Sequence, residues 1–433
     1  MKKFLILFLV PLTLISQEDA LVEEVIVVGT KASLIAAIDK QRESDKIVSI
    51  VDSDALGDFP DTTAAEAIRR LSGISIENDQ GEGRYVSIRG LSSDLNSIAI
   101  NGALMPAPEG NRSVLLDGLP TELLDSIEVS KSLTPDQDAD SIGGRIDFKT
   151  KRPTDLTGEL IKIKIDTQYN EQAKSNDNPR FAITYGDKLS DTFGHVLGFT
   201  YSSKQIVSYN NETGFGWETN SEGLKELNDD WEMRYYDLTR ERLGFTYDAN
   251  FLTSDVTSIY ISAFHNEYID DELRYKDEYG KLGSIGTTTQ STMFTDRIRH
   301  DAETRVREET RTISAFNIGG ETIINDWNSE FQLSYSFAEQ DDTDNADLTF
   351  RCEVRAKKDS CVNLKSPLVS GAVGEINFSN PRKLVLNSYY PEIYDPANLK
   401  FKELELEDSI IEDSETALKL DFSKDIEVDG NPA

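Results

Sequence analysis

The chain has 433 residues and a formal net charge of −33, because 78 Asp and Glu outnumber 45 Lys and Arg. A nucleic-acid surface needs clustered basic residues, so this balance excludes DNA and RNA as partners. Beyond the N-terminus, no apolar stretch approaches the roughly 20 residues of a membrane-spanning helix. If the protein lies in a membrane, it must therefore span it as a β-barrel.

The N-terminus predicts export. Lys2 and Lys3 precede an apolar run over residues 4–15, which has the length of a secretory signal. We therefore predict a signal peptide at 1–16, with cleavage between residues 16 and 20.

The segment 17–46 combines a short apolar and acidic stretch with a polar linker. The stretch consists of Glu23, Glu24, Val25, Ile26, Val27, Val28, Gly29 and Thr30. It is predicted to be extended and unpaired. It can form an edge strand of the next domain, or it can add to the sheet edge of a partner protein through its free backbone groups.

Residues 47–153 predict a small mixed α/β domain with many turns. Thr62 or Thr63 can cap a helix over 64–71, and Glu66 lies at capping-box distance from Thr63. Strands are predicted at 47–51, 86–89, 97–100, 126–129 and 145–150.

From residue 154 to 433 the pattern changes to amphipathic strands. In the first of them, Ile161, Ile163 and Ile165 alternate with Lys162 and Lys164. An apolar face of this kind is the core of a soluble sandwich or the lipid-facing side of a membrane barrel. Eight strands are predicted, at 159–169, 179–187, 193–206, 239–252, 255–266, 310–324, 327–338 and 414–424.

The connections between these strands separate the two interpretations. Tight turns at 188–192, 253–254 and 325–326 alternate with long connections at 205–238, 267–309 and 339–412. Compact soluble domains rarely contain such loops, whereas outer-membrane barrels place short turns in the periplasm and long loops outside. We therefore predict an antiparallel transmembrane β-barrel, with a secreted β-sandwich or propeller as the alternative.

At this point the chain resembles a TonB-dependent outer-membrane receptor over nearly all of its length. The residues that carry the resemblance are Gly81, Gly83 and Arg84 before Val86–Gly90, then Ile100–Gly102, Ser126–Val129 and Gly143–Ile146. The resemblance implies that 47–153 form a plug domain inside a barrel that has about 22 strands when complete. It also implies that 23–30 form the TonB box, which recruits the TonB energy-coupling complex in the periplasm.

The same resemblance implies a location in the outer membrane of a Gram-negative bacterium, surrounded by lipid and lipopolysaccharide. Residues 116–120, Leu123, Leu124 and 130–144 resemble a subgroup often associated with oligosaccharide uptake. Energised import of an oligosaccharide is therefore the expected function. A ferric siderophore or haem receptor is the alternative, and a secreted β-rich binding protein is a more distant one.

Two sets of side chains are candidates for the transport site. Plug arginines of this family face wall carboxylates, which implies a latch formed by Arg84, Arg89, Asp166, Glu330 and Asp421; the alternative is that the arginines are solvated. Aromatic side chains in a long loop suit sugar stacking, with ordinary packing as the alternative: Trp217, Trp231, Tyr235 and Tyr236.

No catalytic, metal or cofactor site is predicted. Asp136, Asp138 and Asp140 are spaced as in a calcium loop, but the turn glycine and closing glutamate of that motif are absent. The three histidines are isolated and no hydrolase motif accompanies them, which disfavours an enzyme. Cys352 and Cys361 suit one local disulfide in an exported protein.

The number of strands leads to one further expectation. An eight-stranded barrel is filled by its own side chains, so it cannot enclose a plug of about a hundred residues. We therefore expect this sequence to be the first part of a longer barrel, lacking about 14 strands.

Overall fold

The computed structural model describes residues 35, 37–42, 44, 46–52, 63–107, 109, 112–135, 137–139, 141–286, 288–355, 361, 371–380 and 383–424, and the backbone of 427–428 and 431–432. The predicted signal peptide, the segment 23–30, and Asp136 and Asp140 lie outside the described residues. Within the described part of the chain, no helix is long and apolar enough to cross a membrane.

The described residues of the N-terminal unit form two short helices and seven strands. Residues 37–42 are helical (α1), and α2 covers Ala64–Ile68. The strands are β1 Val48–Asp52, β2 Ile74–Asp79, β3 Glu82–Ile88, β4 Asn96–Ile100, β5 Ala103–Leu104, β6 Leu124–Ser130 and β7 Gly144–Thr150. Single 3-10 turns occur at Ser93–Leu95, Thr121–Leu123 and Pro153–Asp155.

A mixed sheet organises this unit. Its strand order is β1-β6-β7-β4-β5, and the β4–β7 pair is parallel while the other pairs are antiparallel. Strands β2 and β3 form a separate hairpin. The small mixed α/β domain expected from the sequence is therefore present.

The start of α2 differs from the prediction. The Thr63 side chain makes no capping hydrogen bond, and the helix ends at Ile68 rather than at residue 71. Thr63 instead pairs with Pro120 in an isolated bridge, and the Ala64 N–H donates to the Leu119 carbonyl at 2.9 Å. A distant backbone group thus satisfies the helix N-terminus, so the predicted capping box is wrong.

The second unit is an antiparallel sheet of eight long strands, which we call the large sheet. Its strands pair in chain order, and β8 and β20 lie at its two edges. The strands are β8 Leu160–Thr167, β9 Pro179–Ser190, β10 Phe193–Glu212, β13 Trp231–Ser254, β14 Thr257–Gly280, β16 Arg297–Ile324, β17 Trp327–Arg355 and β20 Lys400–Ser423.

The eight predicted strands are confirmed, and tight turns join the three predicted pairs, at 191–192, 255–256 and 325–326. The second turn was predicted two residues too early, because Thr253 and Ser254 still belong to β13. In the turn between β16 and β17, Asn325 and Asp326 have φ of 51° and 63°. Two successive positive φ values are what a two-residue type I′ hairpin turn requires, and Asn and Asp tolerate this region better than other side chains.

Except for β8, the strands of the large sheet are longer than predicted, so the predicted long loops are too long. β13 begins at Trp231, β14 continues to Gly280, and β16 begins at Arg297. The hydrogen-bonded ladder continues where apolar and polar residues no longer alternate regularly, and there hydrophobic alternation does not mark a strand.

The remaining connections between the long strands are partly folded. They contain β11 Trp217–Thr219, β12 Lys225–Leu227, β15 Thr292–Thr295, β18 Gly374–Asn377 and β19 Val385–Ser388; β21 Glu427–Val428 and β22 Asn431–Pro432 follow the large sheet. Trp217, Met293 and Phe378 pack into a second apolar core with residues from the ends of the long strands. We call this region the outer layer.

The two faces of the large sheet are chemically different. One face carries neighbouring apolar pairs such as Phe199 with Phe245 and Leu333 with Leu418, and Leu418 is 69% exposed. The other face is polar and packs against the N-terminal unit. Phe264, Ile313, Ala315 and Ala338 from this face join the core of the N-terminal unit, so the two units share one core.

Candidate functional site: the interface between the N-terminal unit and the large sheet

Glu82 is the centre of the first ion-pair cluster at this interface. It begins β3, and its side chain is 1% exposed. Lys204, Arg240 and Arg242 from the large sheet each donate to its carboxylate at 2.8 Å. A buried carboxylate that receives three charge-assisted hydrogen bonds holds the β2–β3 hairpin against β10 and β13.

Asp117 forms the second cluster, with Arg311 of β16. The guanidinium donates to both carboxylate oxygens of Asp117, at 3.0 and 3.1 Å. The same guanidinium lies 3.9 Å from the centre of the Tyr268 ring, which adds a cation–π contact. Arg242 also donates to the Asp117 backbone carbonyl at 2.8 Å, so the first two clusters are connected.

Glu122 forms the third cluster near β8 and β9. Its carboxylate lies 3.3 Å from Lys164 Nζ and 3.2 Å from Arg180 Nη1. Arg180 is also held by Asp166 in a two-pronged contact within the large sheet. In all three clusters the N-terminal unit supplies the carboxylate and the large sheet supplies the cations.

The electrostatics of the carboxylates follow from this arrangement. Burial alone would raise the pKa of Glu82, but the three neighbouring cations, led by Arg242, hold that pKa well below its ordinary range. Burial also opposes the charge of Asp117, and Arg311 outweighs it and lowers the pKa of Asp117. Both groups are therefore carboxylates at neutral pH.

Glu109 differs from these two groups. Burial raises the pKa of Glu109, and Arg311, whose Nη1 lies 3.6 Å away, opposes the shift only in part. The Tyr85 hydroxyl donates to the Glu109 carboxylate at 2.6 Å. Glu109 is therefore a weaker anchor for Arg311 than Asp117.

Steric fit adds to the charge pairs. Gly198 of β10 and Gly244 of β13 leave room on the large sheet for Leu123, and a Cβ at Gly244 would overlap the Leu123 side chain. Lower on the same face, the Asn101 amide donates to Ser262 Oγ at 2.6 Å, and Gln332 donates to the Asn101 carbonyl at 2.8 Å.

A small cavity remains between the two units. Its volume is about 20 Å³, and Glu109, Asn266 and Tyr268 are among its lining residues. That is enough for about one water molecule. The seated N-terminal unit therefore leaves no room at this point for a bulky ligand.

The predicted latch is wrong in its residues and in its polarity. Arg84 bonds to Asp79 at 2.9 Å within the N-terminal unit, and Arg89 is exposed. Asp166 binds Arg180, Asp421 lies 2.8 Å from Lys419, and Glu330 is exposed opposite Asp421 on the neighbouring strand. Among the described residues, neither arginine contacts any of these three carboxylates.

The four predicted ligand-binding aromatics do not form one surface. Trp231 and Tyr236 are each 7% exposed, and Trp217 packs on Phe378 with ring centres 5.3 Å apart. Tyr235 and Tyr236 lie on opposite faces of β13, because the side chains of successive strand residues point to alternate faces. Tyr235 instead lies beside Tyr209, at 5.1 Å between ring centres.

The predicted disulfide is confirmed. Cys352 and Cys361 are bonded, with 5.4 Å between their Cα atoms. Cys352 lies three residues before the end of β17, within the outer layer core, so the bond ties Cys361 of the following connection to that core.

Sequence reasoning missed the carboxylates that hold the interface. Glu82 lies between the two glycines of the motif that carried the resemblance, and Asp117 lies in the segment 116–120. Neither residue was predicted to take part in the interface. For Glu82, the available signal was a single acidic residue within a glycine-rich turn.

Comparison with known proteins agrees with this architecture. Residues 40–145 match the family described as TonB-dependent Receptor Plug Domain. A comparison with curated protein sequences found no match.

Several solved structures are similar to the chain. The ferric citrate transporter FecA in the unliganded form shares 14% identity, with 79% of this chain and 53% of that chain covered and a TM-score of 0.38. The outer membrane transporter YddB from Escherichia coli shares 10%, with 71% and 54% covered and a TM-score of 0.36. The siderophore receptor PiuA from Acinetobacter baumannii shares 11%, with 87% and 62% covered and a TM-score of 0.32.

The present chain thus spans between 53% and 62% of the length of these three proteins. The residues matched by the family cover the N-terminal unit as far as the start of β7. Residues 40–145 therefore match the TonB-dependent receptor plug domain, and an antiparallel sheet of eight strands follows them in the chain.

Proposed function

We propose that the protein acts as a TonB-dependent receptor that imports a bulky nutrient across the outer membrane of a Gram-negative bacterium. The observation that carries the proposal is the seating of the plug domain on the polar face of a sheet whose other face is apolar and exposed. An exposed apolar face of this size suits a lipid environment that includes lipopolysaccharide. The polar face then lines the transport path.

The direction of transport follows from the proposed partner. The TonB complex would bind Glu23 to Thr30 by strand addition and pull on the chain that leads to β1. Polar contacts between domains yield to force more readily than an apolar core does, so charge pairs at the plug surface suit a domain that must move. In this proposal the plug is displaced and no covalent chemistry takes place.

Within this function we propose an oligosaccharide as the imported ligand. The resemblance of residues 116–120 and 130–144 to the sugar-uptake subgroup supports it. The transport path above the plug also offers many hydrogen-bonding groups, such as Arg274, Glu303 and Asp347. A ferric siderophore or haem is the other candidate.

Strand addition provides the test of energised import. Ile26→Pro removes a backbone donor from the proposed TonB-binding strand, whereas the control Ile26→Val keeps it. We expect Ile26→Pro to abolish uptake in cells with a functional TonB complex and Ile26→Val to retain it. Equal uptake by both variants would indicate a passive pore.

Ligand class is tested separately with purified full-length protein. Labelled oligosaccharides and ferric siderophores are titrated in parallel against the same preparation. Saturable binding of oligosaccharides supports the sugar proposal. Saturable binding of iron chelates alone would refute it.

A further inference from the structure

Basic side chains form a belt across the polar face of the large sheet, beneath the plug. The strand register places Arg180, Arg242 and Arg311 in one cross-strand row, with Ser202 and Tyr268 between them. Lys204 and Arg240 are paired directly in the adjacent row. We define the cationic belt as Lys164, Arg180, Lys204, Arg240, Arg242 and Arg311.

The large sheet neutralises only part of this belt. Asp166 pairs with Arg180, Asp270 lies 3.2 Å from Arg240 Nε, and Glu309 lies 2.9 Å from Arg311 Nε. The large sheet thus supplies three carboxylates to the six cations of the belt. The other partners come from the plug: the carboxylates of the three interface clusters, Glu82, Asp117 and Glu122, and the weaker partner of Arg311, Glu109.

Displacement of the plug would therefore change the charge of the path. The four plug carboxylates would leave with it, and the belt would carry an excess of positive charge in a chain whose net charge is −33. Arg240, Arg242 and Arg311 are each less than 10% exposed while the plug is seated. Once uncovered, they would form a positively charged surface in the path, and such a surface attracts anions.

The geometry of the belt suits anion recognition. A guanidinium is a planar fork that matches carboxylate and sulfate groups through two parallel hydrogen bonds. Rings of arginine and lysine select anions in membrane pores. In the seated state, Asp117 occupies Arg311 in this two-pronged way, so the plug carboxylate stands where a ligand carboxylate would bind.

We propose that the cationic belt becomes an anion filter when the plug is displaced, and that the imported ligand carries carboxylate or sulfate groups. This inference rests on the proposed function, because the plug must move to uncover the belt. Acidic oligosaccharides and ferric carboxylate chelates share the required chemistry. Neutral oligosaccharides lack it.

Uptake measurements with two variants provide the first test. Glu82→Gln weakens the plug seat and keeps the belt, whereas Arg240→Gln with Arg242→Gln weakens the same seat and removes part of the belt. The probes are oligogalacturonate, a neutral maltooligosaccharide of matched length, and ferric citrate. The comparison of the two variants separates loss of the seat from loss of the belt.

We expect the ratio of oligogalacturonate to maltooligosaccharide uptake to fall on the order of tenfold in the double variant. The same ratio should stay unchanged or rise in Glu82→Gln. Equal ratios in the two variants would refute the filter. If only ferric citrate uptake responds to the double substitution, the anion is an iron chelate rather than a sugar.

Pore selectivity gives a second test that does not depend on energised transport. The full-length protein is inserted into planar bilayers, the plug is loosened reversibly with urea, and the reversal potential is measured in a potassium chloride gradient. The parent pore should prefer chloride, and the double variant should lose that preference. A parent pore that does not prefer chloride, or does not conduct, would refute the proposal that the cationic belt is an anion filter. Chloride preference without uptake of any probe would instead count against the proposed function.

Discussion

Glu82→Gln is the substitution with the largest predicted effect on plug seating. Glu82 is 1% exposed, and three cations from two strands of the large sheet donate to its carboxylate. The amide of Gln has nearly the same shape but no charge, and its NH₂ group would face one of these cations. The substitution therefore tests the charge of this contact while its packing is preserved.

The size of the effect can be estimated from the contacts that remain. Removing one partner of a buried ion pair destabilises by about 3–5 kcal/mol. Arg240 keeps Asp270, and Arg242 keeps the Asp117 carbonyl, so the lower end of this range applies. A loss of about 3 kcal/mol raises the population of the unseated plug roughly a hundredfold.

Hydrogen–deuterium exchange of the full-length protein in detergent measures this population. Peptides from the β2–β3 hairpin, residues 74–88, should exchange faster in Glu82→Gln than in the parent. The matched control is Glu77→Gln on the same hairpin, because Glu77 is exposed. Leakage of large antibiotics into cells should be greater with Glu82→Gln than with the parent protein or with Glu77→Gln.

One result would refute the reasoning. If Glu82→Gln and Glu77→Gln show the same exchange and the same leakage, the buried cluster does not hold the plug. Seating would then depend on the shared apolar core.

The remaining predictions concern steric fit, pH and the disulfide. Gly244→Val should weaken plug seating by about 1–3 kcal/mol, because its side chain would overlap Leu123; Gly283→Val, which meets open space, is the control, and equal exchange rates in the two variants would contradict the prediction. The pKa values of Glu82 and Asp117 lie below their ordinary range in the seated plug, so the seated plug binds fewer protons than the separated one. Seating should therefore be intact at neutral pH and weaken progressively as the pH falls below about 4. Intrinsic fluorescence against pH tests this, and separation already above about pH 5 would be inconsistent with it. Replacing Cys352 and Cys361 with Ser should destabilise the outer layer by about 2–3 kcal/mol, so exchange should rise in residues 371–399 and stay constant in the plug; an equal rise in both would show that the two regions unfold together.

The order and number of the long strands could be predicted because their signals are local. Leu197, Phe199 and Tyr201 alternate with small polar residues, and Asn325-Asp326 supplies a turn with the required positive φ. The ends of the strands were missed for the same reason. Beyond the apolar band, apolar and polar residues no longer alternate regularly, and the ladder extends without a strand-like hydrophobic pattern.

The interface contacts were predicted poorly because they depend on distant parts of the chain. Glu82 and Arg240 are 158 residues apart, and Asp117 and Arg311 are 194 residues apart. The family resemblance predicted arginines on the plug and carboxylates on the large sheet. In the structure the plug supplies the central carboxylates and the large sheet supplies the cations. No spacing within either segment indicates which of several arginines will meet a given carboxylate.

The amino-acid sequence by itself determined the alternation of the strands, the tight turns and the disulfide, because each depends on residues close along the chain. Only the tertiary structure decided which charges meet and which aromatic side chains are buried. Those outcomes depend on strand register: a shift by one residue would turn Arg240, Arg242 and Arg311 away from the plug. The polarity of the interface, and with it the cationic belt, is therefore a property of the folded sheet.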